Sequence, residues 1–276
     1  KLFYSFPIGS QLTVTAGPRV GQEDMLAIWP SFYPSDAILD VLTLNGAPAA
    51  YNKNLGAGAG LRWDAPSGFR LAANYVAANG SRSTTSEGGL ATNHAGSTGT
   101  VQMGYAREAW SVAAIYTATQ NGDDLITYAS PFTQASLSTK GMTHAFGLGG
   151  SWQGLDERWI PSISAGWGIN VSDASHNGDV QTSQSWTAGL EWNNLFMDGT
   201  SAGIAVGQPV FATDLKGDDT PDDGQFIWEA WLRMNVTDAI TVTPALFYLS
   251  RPLGQDTPRG ESFEQLGGLA KITFKF

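Results

Sequence analysis

Isolated charged side chains interrupt segments in which apolar residues alternate with Gly, Ser, Thr and Asn. Successive side chains of a β-strand point to opposite faces, so each charge would share a face with the small polar residues. Such a face suits the lining of a confined water column, where rings of charge select ions by sign. The residues assigned to this lining are Arg19, Arg62, Arg70, Glu191, Glu229, Arg233, Lys271 and Lys275.

The four arginines in this set suggest a basic rim. Our hypothesis is that Arg19, Arg62, Arg70 and Arg233 form part of it, with acidic loops as a counter-screen at the mouth. The alternative is that each arginine is a paired structural charge that stiffens the wall. The sequence leaves both interpretations open.

A second group of candidate residues lies in the long interval Gly21–Asn54. Connections longer than about 12–15 residues are usually functional or disordered. We expect this one to fold inward and narrow a pore, with its aromatic side chains anchored to the inner wall; a contact between subunits and an external lid are the alternatives. The residues assigned to this constriction loop are Glu23, Asp24, Trp29, Asp36, Asp40 and Lys53.

Metal-binding and catalytic chemistry have weaker support. The acidic run Asp218, Asp219, Asp222 and Asp223 offers oxygen ligands for a hard cation such as Ca²⁺, but its spacing departs from the EF-hand loop and favours a solvated loop. The histidines at positions 94, 144 and 176 lie in separate segments, with no pair at metal-ligand spacing. A hydrolase would need a Ser–His pair or paired carboxylates on one rim, and His144 has no carboxylate that the sequence places beside it. We therefore predict no enzyme, no metal and no cofactor.

The composition limits which elements can position these residues. Of the 276 residues only 14% are charged, against about 25% in soluble domains, while 11% are aromatic. This aromatic content excludes a disordered chain. The net charge of −10 argues against nucleic acid, and the lack of cysteine excludes thiolate chemistry. With no run of 18 apolar residues, the sequence excludes a transmembrane helix but allows a transmembrane barrel.

Period-two alternation runs through thirteen segments, separated alternately by short and long connections. The pattern predicts an all-β fold, a transmembrane antiparallel up-and-down β-barrel. A soluble sandwich is the alternative. It is disfavoured by the uncharged polar face, by aromatic residues near the strand ends, where interfacial girdles lie, and by Phe276 at the end of an alternating strand.

Closed single-chain bacterial barrels have an even number of strands, so a count of thirteen needs an explanation. With Phe276 on the periplasmic side, the short turns are periplasmic and residues 1–7 run toward the periplasm. We expect residues 1–276 to form an outer-membrane barrel without its N-terminal part, with about 14–16 strands when complete. The alternative is a strand hidden in Ile38–Leu44, although Ser35–Leu42 equally suits a short helix. Pro244, inside a predicted strand, predicts a bulge.

Five stretches carry a family resemblance. They are GPRVGQEDMLAIWPSFYPSDAILD (17–40), NLGAGAGLRW (54–63), VQMGYAREAWSVAAIYTATQNG (101–122), WTAGLEWNNLFMDGTSAGIAVGQP (186–209) and the final GGLAKITFKF. The chain resembles cyanobacterial outer-membrane porins, which are related to the carbohydrate-selective porin family, over essentially its whole length. The resemblance implies a trimeric barrel of about 16 strands, preceded by an envelope-anchoring domain and a coiled coil, neither of which we expect within residues 1–276.

Together, pattern and resemblance lead us to expect an outer-membrane porin of a Gram-negative-type envelope. It would form a water-filled channel for passive diffusion of small ions and hydrophilic solutes, with sugars as a further candidate. A non-conducting receptor or adhesin barrel is the alternative. The expected partners are outer-membrane lipids, the permeating solutes and two further copies in a homotrimer, and not nucleic acid.

Overall fold

The computed structural model describes residues 1–35, 37–82, 84–122, 126, 128–137, 141–154, 159–217 and 220–275. These residues contain the thirteen strands that the alternation predicts: β1 (Leu2–Ile8), β2 (Leu12–Gly21), β3 (Leu55–Asp64), β4 (Phe69–Ala77), β5 (Ser97–Ala106), β6 (Trp110–Gln120), β7 (Met142–Trp152), β8 (Ser162–Ser172), β9 (Val180–Asn193), β10 (Ser201–Leu215), β11 (Phe226–Thr237), β12 (Ile240–Ser250) and β13 (Glu264–Phe274). The helices are α1 (Pro131–Leu137) and the 3-10 helices Gln22–Met25, Asp40–Thr43 and Gly254–Asp256. Within the described ranges, no helix is long and apolar enough to cross a membrane.

Each strand pairs antiparallel with the next in the chain, so the sheet order from β1 to β13 is the sequence order. At one end, the short-turn end, the strands are joined by residues 9–11, 65–68, 107–109, 153–161, 194–200 and 238–239. At the other, the long-loop end, they are joined by residues 22–54, 78–96, 121–141, 173–179, 216–225 and 251–263. The predicted all-β, up-and-down antiparallel arrangement is confirmed.

The two faces of the sheet have the opposite polarity to those of a soluble protein. Met103 and Leu148 are 57% and 58% exposed on the outer face, whereas Thr100, Gln102 and Thr117 are buried on the inner face. Leaving a large apolar side chain in water forgoes about 1.5–3 kcal/mol of burial free energy. Contact with hydrocarbon removes that penalty, so the apolar face is suited to lipid.

Aromatic side chains cluster on the outer face near the strand ends. At the short-turn end the rings of Phe69, Tyr105 and Trp110 form a row of edge-to-face and tilted contacts, with ring centroids 4.8 and 5.4 Å apart, and Trp110 lies opposite Trp152 in the pairing of β6 with β7. Such rings, with an apolar body and a polar edge, prefer the membrane–water interface. Their placement matches the predicted girdle.

Irregular pairing occurs at two prolines, and not at the one that the sequence singled out. The register shifts between Gly17 and Val20, around Pro18, and between Gln208 and Phe211, around Pro209. On the β11 side of β12 the pairing skips Pro244 but keeps its register, because both Trp231↔Ala245 and Met234↔Val242 fit one alignment. The bulge predicted at Pro244 is therefore wrong: the missing N–H leaves a gap in the ladder without an extra residue.

The possible hidden strand does not form in the described residues 37–44. A short 3-10 helix, Asp40–Thr43, lies there instead; it overlaps only the end of the helix predicted over Ser35–Leu42, and it starts after Leu39 and not after Ser35. Asn45 and Gly46 then end it, since both have positive φ angles, 53° and 68°. The sheet is therefore built from the thirteen strands alone in the described part of the chain.

Candidate functional site

The segment 22–54, called the inner loop below, lies against the inner face of the sheet. Met25 packs with Val76 of β4, and Gln22 Nε2 donates to Thr100 Oγ1 of β5 at 2.8 Å. Farther along the loop, Tyr33 Oη donates to Glu229 of β11 at 2.6 Å. A single segment that touches the same face of strands so far apart in the sheet order requires that face to be concave. The polar face thus encloses the inner loop.

Inner-face glycines let the backbone of the inner loop approach the wall closely. A Cβ atom on Gly166 would lie 1.9 Å from the Asn45 carbonyl oxygen, and one on Gly168 would lie 2.9 Å from Ala47 Cα. Gly46 adopts a positive φ at the same contact, a conformation that glycine reaches without strain. The alternating glycines of β8 are therefore the seat of the inner loop.

A buried glutamine of β5 supplies hydrogen bonds to the irregular backbone of the loop, which, in the part of the chain that the structure describes, has no neighbouring strand to pair with there. Gln102 Oε1 accepts from the N–H groups of Ala27 and Ile28, both at 2.9 Å, and its Nε2 donates to the Ile28 carbonyl at 2.7 Å. Buried backbone polar groups need such partners, because leaving them unpaired costs as much as a lost hydrogen bond. Gln102 therefore anchors the first part of the inner loop.

The second anchor is the carboxylate of Glu229, which is 0% exposed. It accepts hydrogen bonds from Tyr33 Oη and from the backbone N–H of Leu39, while Trp231 Nε1 donates to Tyr33 Oη at 2.9 Å. Burial, followed by the nearby negative charge of Glu229, raises the pKa of Tyr33 far above its ordinary value. Tyr33 therefore stays a neutral donor. Glu229, assigned by sequence to the pore lining, contacts the loop here and not water.

A charged pair of the inner loop remains partly exposed. Lys53 Nζ lies 3.4 Å from Asp40 Oδ1 and 5.8 Å from the centre of the Trp29 ring, and the two charged side chains are 33% and 45% exposed. Tyr128 Oη also donates to Asp40, and burial together with that hydrogen bond raises the pKa of Tyr128 to about 12. Three predicted constriction residues, Trp29, Asp40 and Lys53, are thus brought together.

The remaining constriction residues lie apart from this group. Glu23 and Asp24 both pair with Lys1 at the long-loop end, the Lys1–Asp24 contact measuring 2.9 Å. The Gly21 N–H also donates to Asp24, which fixes the start of the loop. Asp36 lies outside the described residues.

Two of the predicted lining arginines share one carboxylate. Arg62 Nε lies 2.8 Å and Arg70 Nε 3.4 Å from the two oxygens of Asp64, near the short-turn end of β3 and β4. Arg70 also donates to the Ala27 carbonyl at 3.4 Å. The pairing agrees with the structural-charge interpretation, while two guanidinium groups on one carboxylate leave an excess positive charge.

Other predicted lining residues extend the charge around the same end of the sheet. The Arg233 guanidinium carbon lies 5.1 Å from the centre of the Trp231 ring. In the strand register, Lys271 of β13 lies opposite Thr243 of β12, and Glu191 of β9 lies opposite Gly203 of β10. Lys275 follows β13, where its N–H donates to the Ala239 carbonyl. Arg62, Arg70, Arg233 and Lys271 therefore occupy the short-turn end of four strands.

Arg19 is placed differently. It lies near the long-loop end of β2, beyond the register shift at Pro18, and it is exposed while its neighbour Val20 is 0% exposed. The shift reverses the alternation from which the lumen position of Arg19 was inferred. Arg19 thus stands apart from the other three arginines of the expected rim.

Sequence reasoning missed several residues that shape this site. Gln102 and Asp64 were not singled out, nor were the glycines of β8. Asp64 was detectable in principle, since it lies two residues after Arg62 and hence on the same face of β3. The role of Gln102 had no local signal, because its partners are about seventy-five positions earlier in the chain.

Several of the residues considered for other chemistry have structural partners. His144 Nδ1 lies 2.7 Å from Tyr116 Oη, Asp222 pairs with Arg251 at 2.8 Å, and Asp223 accepts four hydrogen bonds from protein donors. Asp218 and Asp219 lie outside the described residues. Among the residues that are described, no group of three or more His, Asp or Glu side chains is arranged to hold a metal ion.

Comparison with solved structures identifies the fold. OprB of Pseudomonas putida shares 13% identity at a TM-score of 0.61, covering 98% of this chain and 71% of its own. The anion-selective porin of Comamonas acidovorans shares 11% identity at a TM-score of 0.57, and the match covers 94% of this chain and 71% of that porin. OmpT, an outer membrane protein of Vibrio cholerae, shares 10% identity at a TM-score of 0.60, and the match covers 96% of this chain and 76% of OmpT. The fold is that of an outer-membrane β-barrel. No protein-family model and no curated protein matches the sequence.

Proposed function

We propose that this protein is an outer-membrane porin, a water-filled channel for passive diffusion of small ions and hydrophilic solutes. The observation that carries the proposal is the polarity of the sheet. Its outer face exposes Met103 and Leu148, while its concave inner face presents Thr100, Gln102 and Thr117. A polar inner wall of this kind can border a column of water, whereas a receptor or adhesin barrel would need its lumen plugged.

We infer that the inner loop forms the constriction of this channel. It rests on the inner wall through Gln102 and Glu229, and it presents the partly exposed Asp40–Lys53 pair beside Trp29. Charge at the narrowest point of a pore acts most strongly on ions, because low-dielectric walls focus the field.

We further infer that the positive groups at the short-turn end form a rim that favours anions. Arg62 and Arg70 share only Asp64 between them, and Arg233 and Lys271 lie at the same end of the sheet. The acidic long-loop connections at the opposite mouth would act as the counter-screen. Sugars remain candidate solutes on the strength of the family resemblance.

The directions of the end strands bear on closure. β1 and β13 both run toward the short-turn end, so an antiparallel closure between them requires an odd number of further strands. One or three would give about 14 or 16 in total. In hydrocarbon an unpaired strand edge costs several kcal/mol for each open backbone group, which makes closure necessary. We propose this completion, and a homotrimer of cyanobacterial type, from the resemblance of the five sequence stretches.

Planar-bilayer recording with the full-length protein tests the channel. We expect stepwise ohmic currents, and liposome swelling with arabinose that declines for larger sugars. Protein that inserts into the bilayer but carries no current would contradict the porin proposal and favour the receptor barrel. A matched preparation of heat-unfolded protein controls for detergent leakage.

A further inference from the structure

The acidic run of the β10–β11 connection contains a fully buried carboxylate. Asp223 is 1% exposed, and its Oδ2 accepts from Ser130 Oγ at 2.6 Å, Thr133 Oγ1 at 2.7 Å and the Ala212 N–H at 2.7 Å. Its Oδ1 accepts from the Gln255 N–H at 3.0 Å. One side chain thus joins three connections of the long-loop end with β10. Four donors around one buried charge satisfy it fully, which makes such a group an effective organiser.

The neighbouring glycine shows how closely this arrangement is fitted. A Cβ atom on Gly254 would lie 2.2 Å from Asp223 Oδ1, and Gly254 has a positive φ of 55°. The 3-10 helix Gly254–Asp256 therefore approaches the carboxylate only because position 254 lacks a side chain.

Residues 128–137, called the supporting segment below, connect Asp223 with the inner loop. Ser130, which donates to Asp223, also accepts from the Thr133 N–H at the start of α1. Two hydrogen bonds join this segment to the bulged part of β10, from Val210 N–H to the Tyr128 carbonyl at 2.9 Å and from Ser130 N–H to the Val210 carbonyl at 3.0 Å. The position of Tyr128 is consequently fixed from its C-terminal side.

Tyr128 makes the contact with the inner loop. Its ring packs against the cluster that contains Tyr33, Val41 and Leu42, and its hydroxyl donates to Asp40. Asp40 begins the 3-10 helix Asp40–Thr43 of the inner loop and also pairs with Lys53. A continuous set of contacts therefore leads from Asp223 at the mouth to the charged pair of the constriction.

We propose that Asp223 is a positioning residue for the constriction, which fixes the supporting segment so that Tyr128 holds Asp40 in place. The effect on the pore rests on the proposed function, whereas the coupling between Asp223 and the inner loop does not. It gives the acidic run a mechanical role in place of cation binding.

Hydrogen exchange of the full-length protein in detergent measures the coupling without any current. In Asp223→Ala we expect amide exchange in residues 128–137 and in residues 39–44 to accelerate about tenfold, since a hydrogen bond to a charged group is worth about that factor or more. Asp222→Ala is the matched control, because Asp222 is adjacent and pairs only with Arg251 at the surface among the contacts described. It should leave both segments unchanged.

Tyr128→Phe tests the route. This variant should accelerate residues 39–44 but not residues 128–137, and in its background Asp223→Ala should add no further acceleration at residues 39–44. Asp223→Asn, which keeps one acceptor oxygen, serves if the alanine variant fails to fold, with an intermediate effect expected. The proposal is overturned if Asp223 variants loosen residues 128–137 while residues 39–44 stay as protected as in the wild type. It is equally overturned if the Tyr128→Phe background leaves the Asp223 effect intact.

Single-channel conductance then tests the consequence for the pore. If the wild type conducts, Asp223→Ala should raise the conductance and its fluctuation, and Asp222→Ala should not. If the wild type does not conduct, the proposed function fails, while the exchange experiment still decides the coupling.

Discussion

At the scale of single residues, buried polar side chains of the inner face anchor the inner loop through hydrogen bonds. Gln102 serves the backbone near Ala27 and Ile28, and Glu229 serves Tyr33 and Leu39. The amide of Gln102 is neutral, whereas the carboxylate of Glu229 is charged. Because a charged acceptor binds its donors roughly twice as strongly, Glu229 is expected to dominate the position of the second half of the loop.

Replacement of Glu229 should loosen the inner loop. Glu229→Ala leaves Tyr33 Oη and the Leu39 N–H without this acceptor, at a cost of about 1–3 kcal/mol for each buried unpaired group. We expect a lower free energy of unfolding in urea and noisier, larger single-channel currents. Glu229→Gln, which retains one acceptor oxygen, should show a smaller change in both. An alanine variant with wild-type stability and current would show that Glu229 is not an anchor.

Charge reversal tests whether Arg62 and Arg70 belong to an ion filter or only to the wall. If they contribute to selectivity, the Arg62→Glu and Arg70→Glu variants should shift the reversal potential in a salt gradient toward cations, by about threefold in permeability ratio. Asp64→Asn should shift it the opposite way, because the two guanidinium groups lose their shared counter-charge. Arg107→Glu makes the same change of charge at the same end of the sheet, but its guanidinium lies over the Tyr105 ring on the outer face, so it is the control. An unchanged reversal potential would leave the two arginines as structural charges.

At the scale of elements, strands and inner loop depend on each other through backbone proximity. The seat on β8 uses Gly166 and Gly168, which face Asn45 and Ala47 of the loop. A glycine inside a strand weakens the sheet, because it has no side chain to pack. Here the close contact with the loop backbone that the glycines permit offsets this loss. The turn at Asn45–Gly46, with two positive φ angles, brings the loop backbone down onto that seat.

A methyl group on this seat should lift the inner loop. Gly166→Ala would place a Cβ atom 1.9 Å from the Asn45 carbonyl oxygen, and relief of such a clash typically costs about 1–3 kcal/mol. We expect a raised single-channel conductance together with a lower unfolding free energy. Gly99→Ala is the matched control, since its Cβ would meet no atom within 4 Å. Equal behaviour of the two variants would mean that the inner loop does not rest on β8.

At the scale of the whole molecule, the inverted polarity of the two faces determines the solvent in which the sheet is stable. The outer face meets hydrocarbon, and the aromatic rows near the strand ends mark the interfaces. The inner face encloses polar side chains and the inner loop. Stability should therefore respond to a new charge according to which face receives it, more than to its position in the sequence.

A charge on the lipid face should be costly near the middle of a strand. Leu148→Arg in β7 is expected to lower the unfolding free energy in phosphatidylcholine vesicles by about 2–4 kcal/mol, the cost of an arginine at the bilayer midplane. Gln265→Arg in β13 shares the face of Lys271 and should change stability little. Comparable losses in the two variants would contradict the assignment of the faces.

The sequence by itself determined the thirteen strands, their up-and-down order and the outward apolar face, because alternation is a local property that each strand carries without reference to its neighbours. It also pointed to Trp29, Asp40 and Lys53, through the length and aromatic content of one connection. Only the tertiary structure decided that Glu229 anchors the loop, that Asp64 is shared by Arg62 and Arg70, and that Arg19 stands apart. Tyr33 and Glu229 are 196 positions apart, so no local pattern records their contact. A single register shift at Pro18 is enough to reverse the alternation that placed Arg19. Local periodicity fixes which face a residue prefers, whereas the folded sheet fixes which partner it meets there.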